Sequence, residues 1–511
     1  MNKKRLLSLL LALALSLSCL AVLSSCDGGG NDSSEKQSES ENTPGDDTVW
    51  YAGLDFDEHL VVSQSVNLYD TTGSIPNAEK YTRGPDKITA DKVLNMCYER
   101  NRDVAKALGL TVEFKPVNWS YLDINTNLDL LSKKTVSDID LVINDVIAVT
   151  PAMLKGQLYN LKDDAEENYF DFTHECWYND YINGLTYDES RVYAMAGDYF
   201  MDVVRSAHCI YVNTEIFEIQ LQDNYASVKD FYQMIKDGEW DFVEFETLIQ
   251  EGWKSTSGTT DAVLTDEYIG WLTTFGALNG TAYGQEISMI EKNGNTYTMK
   301  ENTAELDLFT KALCELYHTD GVLEGDSSLV DINGRRQLFT EGRVLFLSNF
   351  WLGDLEFPTF FEMDKKAAII YPKWDLSKEY GTWVHDSAEI GYILTNTATF
   401  TPTSAYCQLL NEKSVAVMRE YFEEQIKFKQ NTDPYAIEML DMIRDTIASP
   451  FEFYLTPTAG NDKIKSGIGI LTRDFIPQNN PSAAATHYSS YLPEFRANLA
   501  NMIAQFNALD D

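Results

Sequence analysis

Residues 90–117 read Ala90-Asp-Lys-Val-Leu-Asn-Met-Cys-Tyr-Glu-Arg-Asn-Arg-Asp-Val-Ala-Lys-Ala-Leu-Gly-Leu-Thr-Val-Glu-Phe-Lys-Pro-Val117, and the change of period inside this stretch decides the fold. Apolar side chains at Val93, Leu94, Cys97, Val104, Ala105 and Leu108 recur at helical spacing, and Gly109 stops the run. Thr111 to Val117 then alternates like a strand. The same alternation of patterns continues outward. Leu122 to Leu131 is weakly helical, and Asp140-Leu-Val-Ile-Asn144 reads as a short buried strand. Arg191 to Met195 and His208 to Val212 read as further strands, and Ser414–Phe428 and Ala436–Ile447 as helices. Leu492, Phe495, Leu499, Met502, Ile503, Phe506 and Leu509 form one stripe of a C-terminal helix. Helices interleaved with short buried strands predict α/β lobes. No internal repeat is visible.

The N-terminus has a different character. Lys3, Lys4 and Arg5 precede an apolar run from Leu6 to Val22, and Leu23-Ser-Ser-Cys26 closes it. This is the layout of a secretory signal, and the run is short for a membrane span. No later run of about 20 apolar residues occurs. Residues 27–47 carry no apolar side chain, so they cannot bury enough surface to offset their ordering entropy and are expected to be disordered. Their typical reach is about 25 Å. Order is expected from about Val49. The remaining chain is too long for one core, so two lobes are expected.

Composition narrows the function. Formal net charge is −39, and loss of Lys3, Lys4 and Arg5 with a signal would make it −42. Nucleic acid and anionic lipid both call for clustered basic residues, and only pairs such as Lys133-Lys134, Arg335-Arg336 and Lys365-Lys366 occur. Cys97, Cys176, Cys209, Cys314 and Cys407 are widely spaced and odd in number, which argues against a disulfide framework and leaves room for one bridge. The six histidines show no HxxxH or HExxH spacing, and there is no CxxC, so no metal is expected. There is also no GxSxG elbow, phosphate-binding GxxxxGK[ST] loop or EF-hand loop, and no cofactor is expected.

Two resemblances give these features a context. Leu23-Ser-Ser-Cys26 resembles the lipobox of bacterial lipoproteins, which implies cleavage before Cys26 and lipidation of that residue, enough for stable anchoring. Behind it, Ala-Leu-Gly-Leu-Thr-Val-Glu-Phe114 leads to Asp138-Ile-Asp-Leu-Val-Ile143 and then Gly156-Gln-Leu-Tyr-Asn-Leu161. Val192-Tyr-Ala-Met-Ala-Gly-Asp-Tyr199, Ile210-Tyr-Val-Asn-Thr-Glu-Ile-Phe217 and Glu239-Trp-Asp-Phe-Val-Glu-Phe245 follow. Phe339-Thr-Glu-Gly-Arg-Val-Leu-Phe346 and Ile370-Tyr-Pro-Lys-Trp374 complete the series. In this order the passages resemble the maltose-binding-like, family 1 extracellular solute-binding proteins of ABC importers, over residues 85 to about 450. Three places depart from the pattern: Lys-Ala-Ala before Ile369, Asn213-Thr-Glu, and Phe451-Glu-Phe-Tyr454.

The resemblance implies two α/β lobes joined by a hinge that the chain crosses three times, near Gly197, Ile370 and residue 430. One lobe would comprise 49–197 and 370–430, the other 198–369 and 431–511, behind a signal at 1–25 and a tether at 26–48. It also implies a monomer anchored by lipid alone to the outer face of a cell membrane, which captures a carbohydrate between its lobes and delivers it to importer membrane subunits. Sugars combine hydroxyls with flat C–H faces, so aromatic platforms beside Asp and Asn are the expected ligand contacts. Trp351 stands where sugar-binding members carry a stacking Trp. Asp198 and Tyr199 sit at the first expected crossing. Asn144 and Asp145 end a buried strand, and strand carboxyl ends face the cleft in open α/β sheets. Trp383 and Asp386 are further candidates. A tethered glycan-degrading enzyme, with an acid pair about 5–9.5 Å apart, and a surface adhesin remain the alternatives.

Overall fold

The computed structural model describes residues 49–65, 78–119, 123–256, 258, 262–285, 287–325, 329–428, 433–455 and 475–510. The expected signal, Cys26 and the tether lie outside these, as does residue 430. The chain divides into Met1–Trp50 and a large body, Tyr51–Asp511.

Eleven strands occur among the described residues. β1 (Glu58–Ser65), β2 (Leu110–Val117), β3 (Leu141–Asp145) and β11 (Glu389–Tyr392) form one sheet in the order β11-β3-β1-β2. β1 runs parallel to β2 and β3, and β11 runs antiparallel to β3. β3 is buried along its whole length, as an inner strand covered on both faces should be. β2 alternates between covered and exposed residues and carries Pro116, which an edge strand tolerates. The helix Lys92–Ala107 starts at Asp91, whose side chain accepts from Leu94 N, and packs on β2 and on the long helix Phe400–Arg419. Gly109, at φ +65°, turns the chain from that helix into β2.

The second sheet is β10-β4-β9-β5-β8, built from β4 (His208–Asn213), β5 (Ile269–Thr273), β8 (Val322–Glu324), β9 (Val344–Trp351) and β10 (Lys366–Ile369). A small hairpin, β6 (Ile290–Asn293) with β7 (Thr296–Met299), stands apart. Asn213 is the buried cap of the helix Thr214–Gln220, accepting from Glu215 N and Ile216 N. Trp240 is fully buried, and its indole donates to the Ile370 carbonyl at 3.1 Å. The Glu239–Phe245 and Ile370–Trp374 passages are thus one packed unit.

Two segments carry the chain between the sheets, and a third runs with them. Ala207 pairs with Val384 and Thr382 with Ile447. His208 N donates to Trp383 O, His385 N to Ser206 O, Thr382 N to Thr446 O and Ala448 N to Thr382 O. These pairings lie later in the chain than Gly197 and Ile370.

Several local expectations need correction. Arg191–Met195 forms no named strand; it touches the first sheet by a single bridge, Met195 to Gly391. The helix expected from Ser414 begins at Phe400 and continues as a π-helix over Glu420–Phe428. The C-terminal helix begins at Ala483 and accommodates Pro493, burying Phe495, Leu499, Met502 and Phe506 as one stripe. It packs on β7 and on the helices Ala304–Tyr317 and Val149–Leu154. Cys97, Cys176, Cys209, Cys314 and Cys407 are all buried and free.

Candidate functional site

The carboxyl ends of β1 and β3 bring Gln64, Asn144 and Asp145 to one edge of the first sheet, and antiparallel β11 adds Glu389 opposite Asp145. In the second sheet the end of β9 carries Trp351 opposite His208, the first residue of antiparallel β4. The register between β4 and β9 shifts between Cys209 and Tyr211, and Asn349 there adopts a left-handed backbone (φ 62°). Such a bulge re-aims the residues that follow. Segment 382–389 runs from one sheet to the other and carries Trp383, His385 and Asp386 past both edges.

Trp351 is held from three sides. Its backbone N donates to Asp354 at 2.8 Å, and Asp354 is bonded by the Arg336 guanidinium. Its indole Nε1 donates to His208 Nε2 at 3.0 Å, so His208 carries its proton on Nδ1. Burial, and then His385, keep the His208 pKa well below the usual histidine value. The ring meets His385 edge-on with centroids 4.9 Å apart. Beyond Trp351, Glu356 is buried between Arg205 Nε at 2.8 Å, Lys80 at 2.6 Å and the Tyr421 hydroxyl at 2.7 Å. Burial opposes its ionisation, but Arg205 and Lys80 outweigh that and hold its pKa down at about 2.

On the first-sheet side the carboxylates crowd. Gln64 donates to Glu389 at 2.7 Å, Glu389 N donates to Asp202 at 2.9 Å, and Asp202 pairs with Arg205 at 2.6 Å. Burial, followed by the charges of Asp386 and Asp202, pushes the Asp145 carboxyl up to about 8. Burial and Asp202 raise Glu389 well above the usual range. Around them stand polar groups with no hydrogen-bond partner among the described residues. These are the hydroxyls of Tyr181, Tyr392 and Tyr454, Asn144 Nδ2 and Glu389 Oε1. All five residues are at least nine-tenths buried.

Not every candidate falls in this place. Trp351, Asn144, Asp145 and Asp386 do, and Trp383 lies on its flank, packed by Tyr283, Phe453 and Tyr454 with centroids 4.9, 4.8 and 6.2 Å away. Asp198 lines an adjoining cavity of about 480 Å³ with Trp177, Tyr178, Tyr181, Met418 and Arg444. It accepts from the Tyr178 hydroxyl at 2.8 Å, and burial raises its pKa to about 6 against the pull of Tyr178 and Arg444. Tyr199 is fully buried away from this cavity; its hydroxyl donates to the Thr82 carbonyl, and Arg100 sits 4.6 Å from its ring. Tyr181, Tyr392, Tyr454, His208, His385 and Glu389 were missed by sequence reasoning. Of these, only Glu389, a charge at the head of an otherwise uncharged strand, carried a signal that could have found it. Among the described residues, no three His, Cys, Asp or Glu side chains are placed to hold a metal ion.

Comparison with known proteins identifies the architecture. No protein-family model and no curated protein sequence matches the chain. Its structure is similar to that of the GacH receptor of Streptomyces glaucescens, solved unliganded and with acarbose, with TM-score 0.52 and 12% identity over 86% of this chain and 98% of that one. A family 1 extracellular solute-binding protein from Bifidobacterium longum subsp. infantis gives TM-score 0.50 at 12% identity, over 87% and 99%. A sugar transporter from Rhizobium etli in an open conformation gives 0.50 at 12%, over 85% and 99%. The chain therefore has the two-lobed α/β fold of the maltose-binding-like extracellular solute-binding proteins. At this identity the likeness carries the fold alone.

Proposed function

We propose that the protein is a substrate-binding protein that captures a small hydroxylated solute, a sugar or oligosaccharide, between its lobes and delivers it to an ABC importer. One observation carries this reading. The converging sheet edges present buried polar groups, the hydroxyls of Tyr181, Tyr392 and Tyr454 with Asn144 Nδ2 and Glu389 Oε1, that have no partner among the described residues. Buried polar groups are normally satisfied, and a ligand rich in hydroxyls would satisfy these. Trp351 would supply the apolar wall, with Asp145 and Asp386 as hydrogen-bond acceptors. Asp198 and the 480 Å³ cavity beside Tyr181 would extend the site for a longer ligand.

The expected lobes are 49–197 with 370–430 and 198–369 with 431–511; the paired segments at Ala207, Val384 and Ile447 would serve as the hinge and put each crossing somewhat later in the chain. Ligand touching both lobes favours the closed form, the one importer subunits would recognise. Residues 1–25 would act as a signal, and lipid on Cys26 would anchor a monomer to the outer face of the membrane through the 26–48 tether. No described helix is long and apolar enough to cross a membrane. Solved proteins with this fold include receptors and transport proteins, which favours binding over catalysis.

A thermal-shift and calorimetric screen of mono- and oligosaccharides and polyols tests the proposal. A saturable shift, about 2.7 kcal/mol at 100 Kd, with the ligand recovered intact, is expected. Ligand converted to product would make the protein an enzyme. Silence across the panel would favour the adhesin alternative.

A further inference from the structure

The charge balance of the site goes further than its hydroxyls. Five carboxylates, Asp145, Asp202, Glu356, Asp386 and Glu389, stand at or next to the facing sheet edges. The cations among the described residues are spent on two of them: Arg205 binds Asp202 and Glu356, and Lys80 binds Glu356. Asp145 and Glu389 form no ion pair among the described residues. Asp386 meets His385 Nδ1 at 3.3 Å, and that nitrogen also accepts a hydrogen bond from Ser387 N. Asp145 and Glu389, opposite one another on β3 and β11, thus share one place without an ion pair among the described residues, with Asp386 beside His385 close by. A neutral ligand would leave that imbalance as it is.

A second, independent feature points at the same spot. The Tyr181 hydroxyl is within electrostatic reach of Asp386 and Asp202, that of Tyr454 of Asp386 and Asp145, and that of Tyr392 of Asp145 and Glu389. All three hydroxyls lack a hydrogen-bond partner among the described residues. The hydroxyls of three aromatic side chains, Tyr181, Tyr392 and Tyr454, thus stand near the acids, and Trp351 lies against His385, the neighbour of Asp386. Carboxylates near aromatic side chains suit an ammonium group, which gains charge-assisted hydrogen bonds and cation–π attraction together. The described residues offer no triad of metal-ligating side chains, so a bare metal ion fits this place less well.

We infer that the ligand of this cleft is a hydroxylated solute bearing a protonated amine, with its ammonium seated between Asp145 and Asp386 and its hydroxyls on the tyrosines. This rests on the solute-binding reading above and names the ligand class within it. When apo, the site avoids stacking three charges by keeping protons on Asp145 and Glu389; an incoming ammonium supplies positive charge, and the Asp145 proton is released to solvent.

The test uses the full chain in mild detergent at low ionic strength, titrated calorimetrically with paired probes. The pairs are glucosamine with glucose and the β-1,4 glucosamine disaccharide with cellobiose; spermidine serves as an amine without a sugar ring. The amine member of a pair is expected to bind at least about tenfold more tightly than its hydroxyl twin. Asp145→Asn and Asp386→Asn, each checked for native circular dichroism, are expected to erase most of that preference. Spermidine binding as tightly as the aminated sugars would overturn the hydroxylated-solute assignment, since it carries no hydroxyl for the tyrosines. Equal binding of the twins, or a preference surviving in both variants, would overturn the amine assignment and leave the solute-binding reading standing. Binding by no member of any pair would overturn both.

Discussion

At the scale of single residues, the site combines one aromatic that serves two purposes with acids in unfavourable company. Trp351 is only 6% exposed and bonded to His208, so it is a structural wall as well as the proposed ligand platform. Trp351→Ala should weaken ligand binding at least about tenfold and also remove about 3 kcal/mol of apo stability, read by calorimetry and urea titration. Unchanged affinity in a folded variant would move the ligand away from Trp351. Asp145 makes a prediction of opposite sign to that of most native carboxylates. Its folded pKa of about 8 exceeds the ordinary value of 3.8, so the folded state keeps a proton that the unfolded chain has already lost. Stability from this group is therefore fully present below the unfolded value and declines as pH rises toward 8, by about 1 kcal/mol per pH unit. Asp386, Asp202 and Glu389 surround it. The apo melting temperature should fall between about pH 5 and pH 8, and Asp145→Asn should flatten that fall. An equal slope in the variant would show that other acids govern it.

At the scale of elements, the short 3-10 segment Leu352–Glu356 does most to fix the site. It follows β9 directly, and Asp354 and Glu356 tie it to Arg336 and Arg205. Glu356 also reaches Lys80 and Tyr421, groups from the other proposed lobe. Removing its carboxylate leaves the fully buried Arg205 with one acid fewer. Glu356→Ala should therefore lower stability by about 3–5 kcal/mol, as broken buried pairs do. Glu356→Gln, which keeps hydrogen-bonding capacity, should lose less; chemical denaturation of the two variants measures the difference. The Glu356 contacts join residues 65 to 276 positions apart. No local pattern in the sequence announces them, whereas the helical spacing before Leu108 and the Gly109 stop are local and were legible.

At the scale of the molecule, the two facing sheets and their three paired connections suit a hinge. Small-angle X-ray scattering should show a smaller radius of gyration when a bound sugar or aminated sugar is present, and Glu356→Gln should shift the apo form toward the open state. A radius unchanged by saturating ligand would argue against closure. By itself, the sequence determined the alternation of helix and strand, the order of motifs, and the carboxyl-end position of Asn144 and Asp145, because these follow from side-chain periodicity and chain direction. It also pointed to Trp351 through the passage that precedes it. Tertiary structure alone decided which candidates meet. Tyr199 fell into the first-sheet core, beside Arg100, because burying its ring there satisfies its hydroxyl on Thr82. Tyr181 and Tyr454 arrived at the acids from helices far apart in the chain, Tyr454 from the very stretch that departs from the family pattern. The physical reason is that periodicity reports which face of an element is buried, whereas a binding site is made of contacts between elements whose separation in sequence carries no such signal.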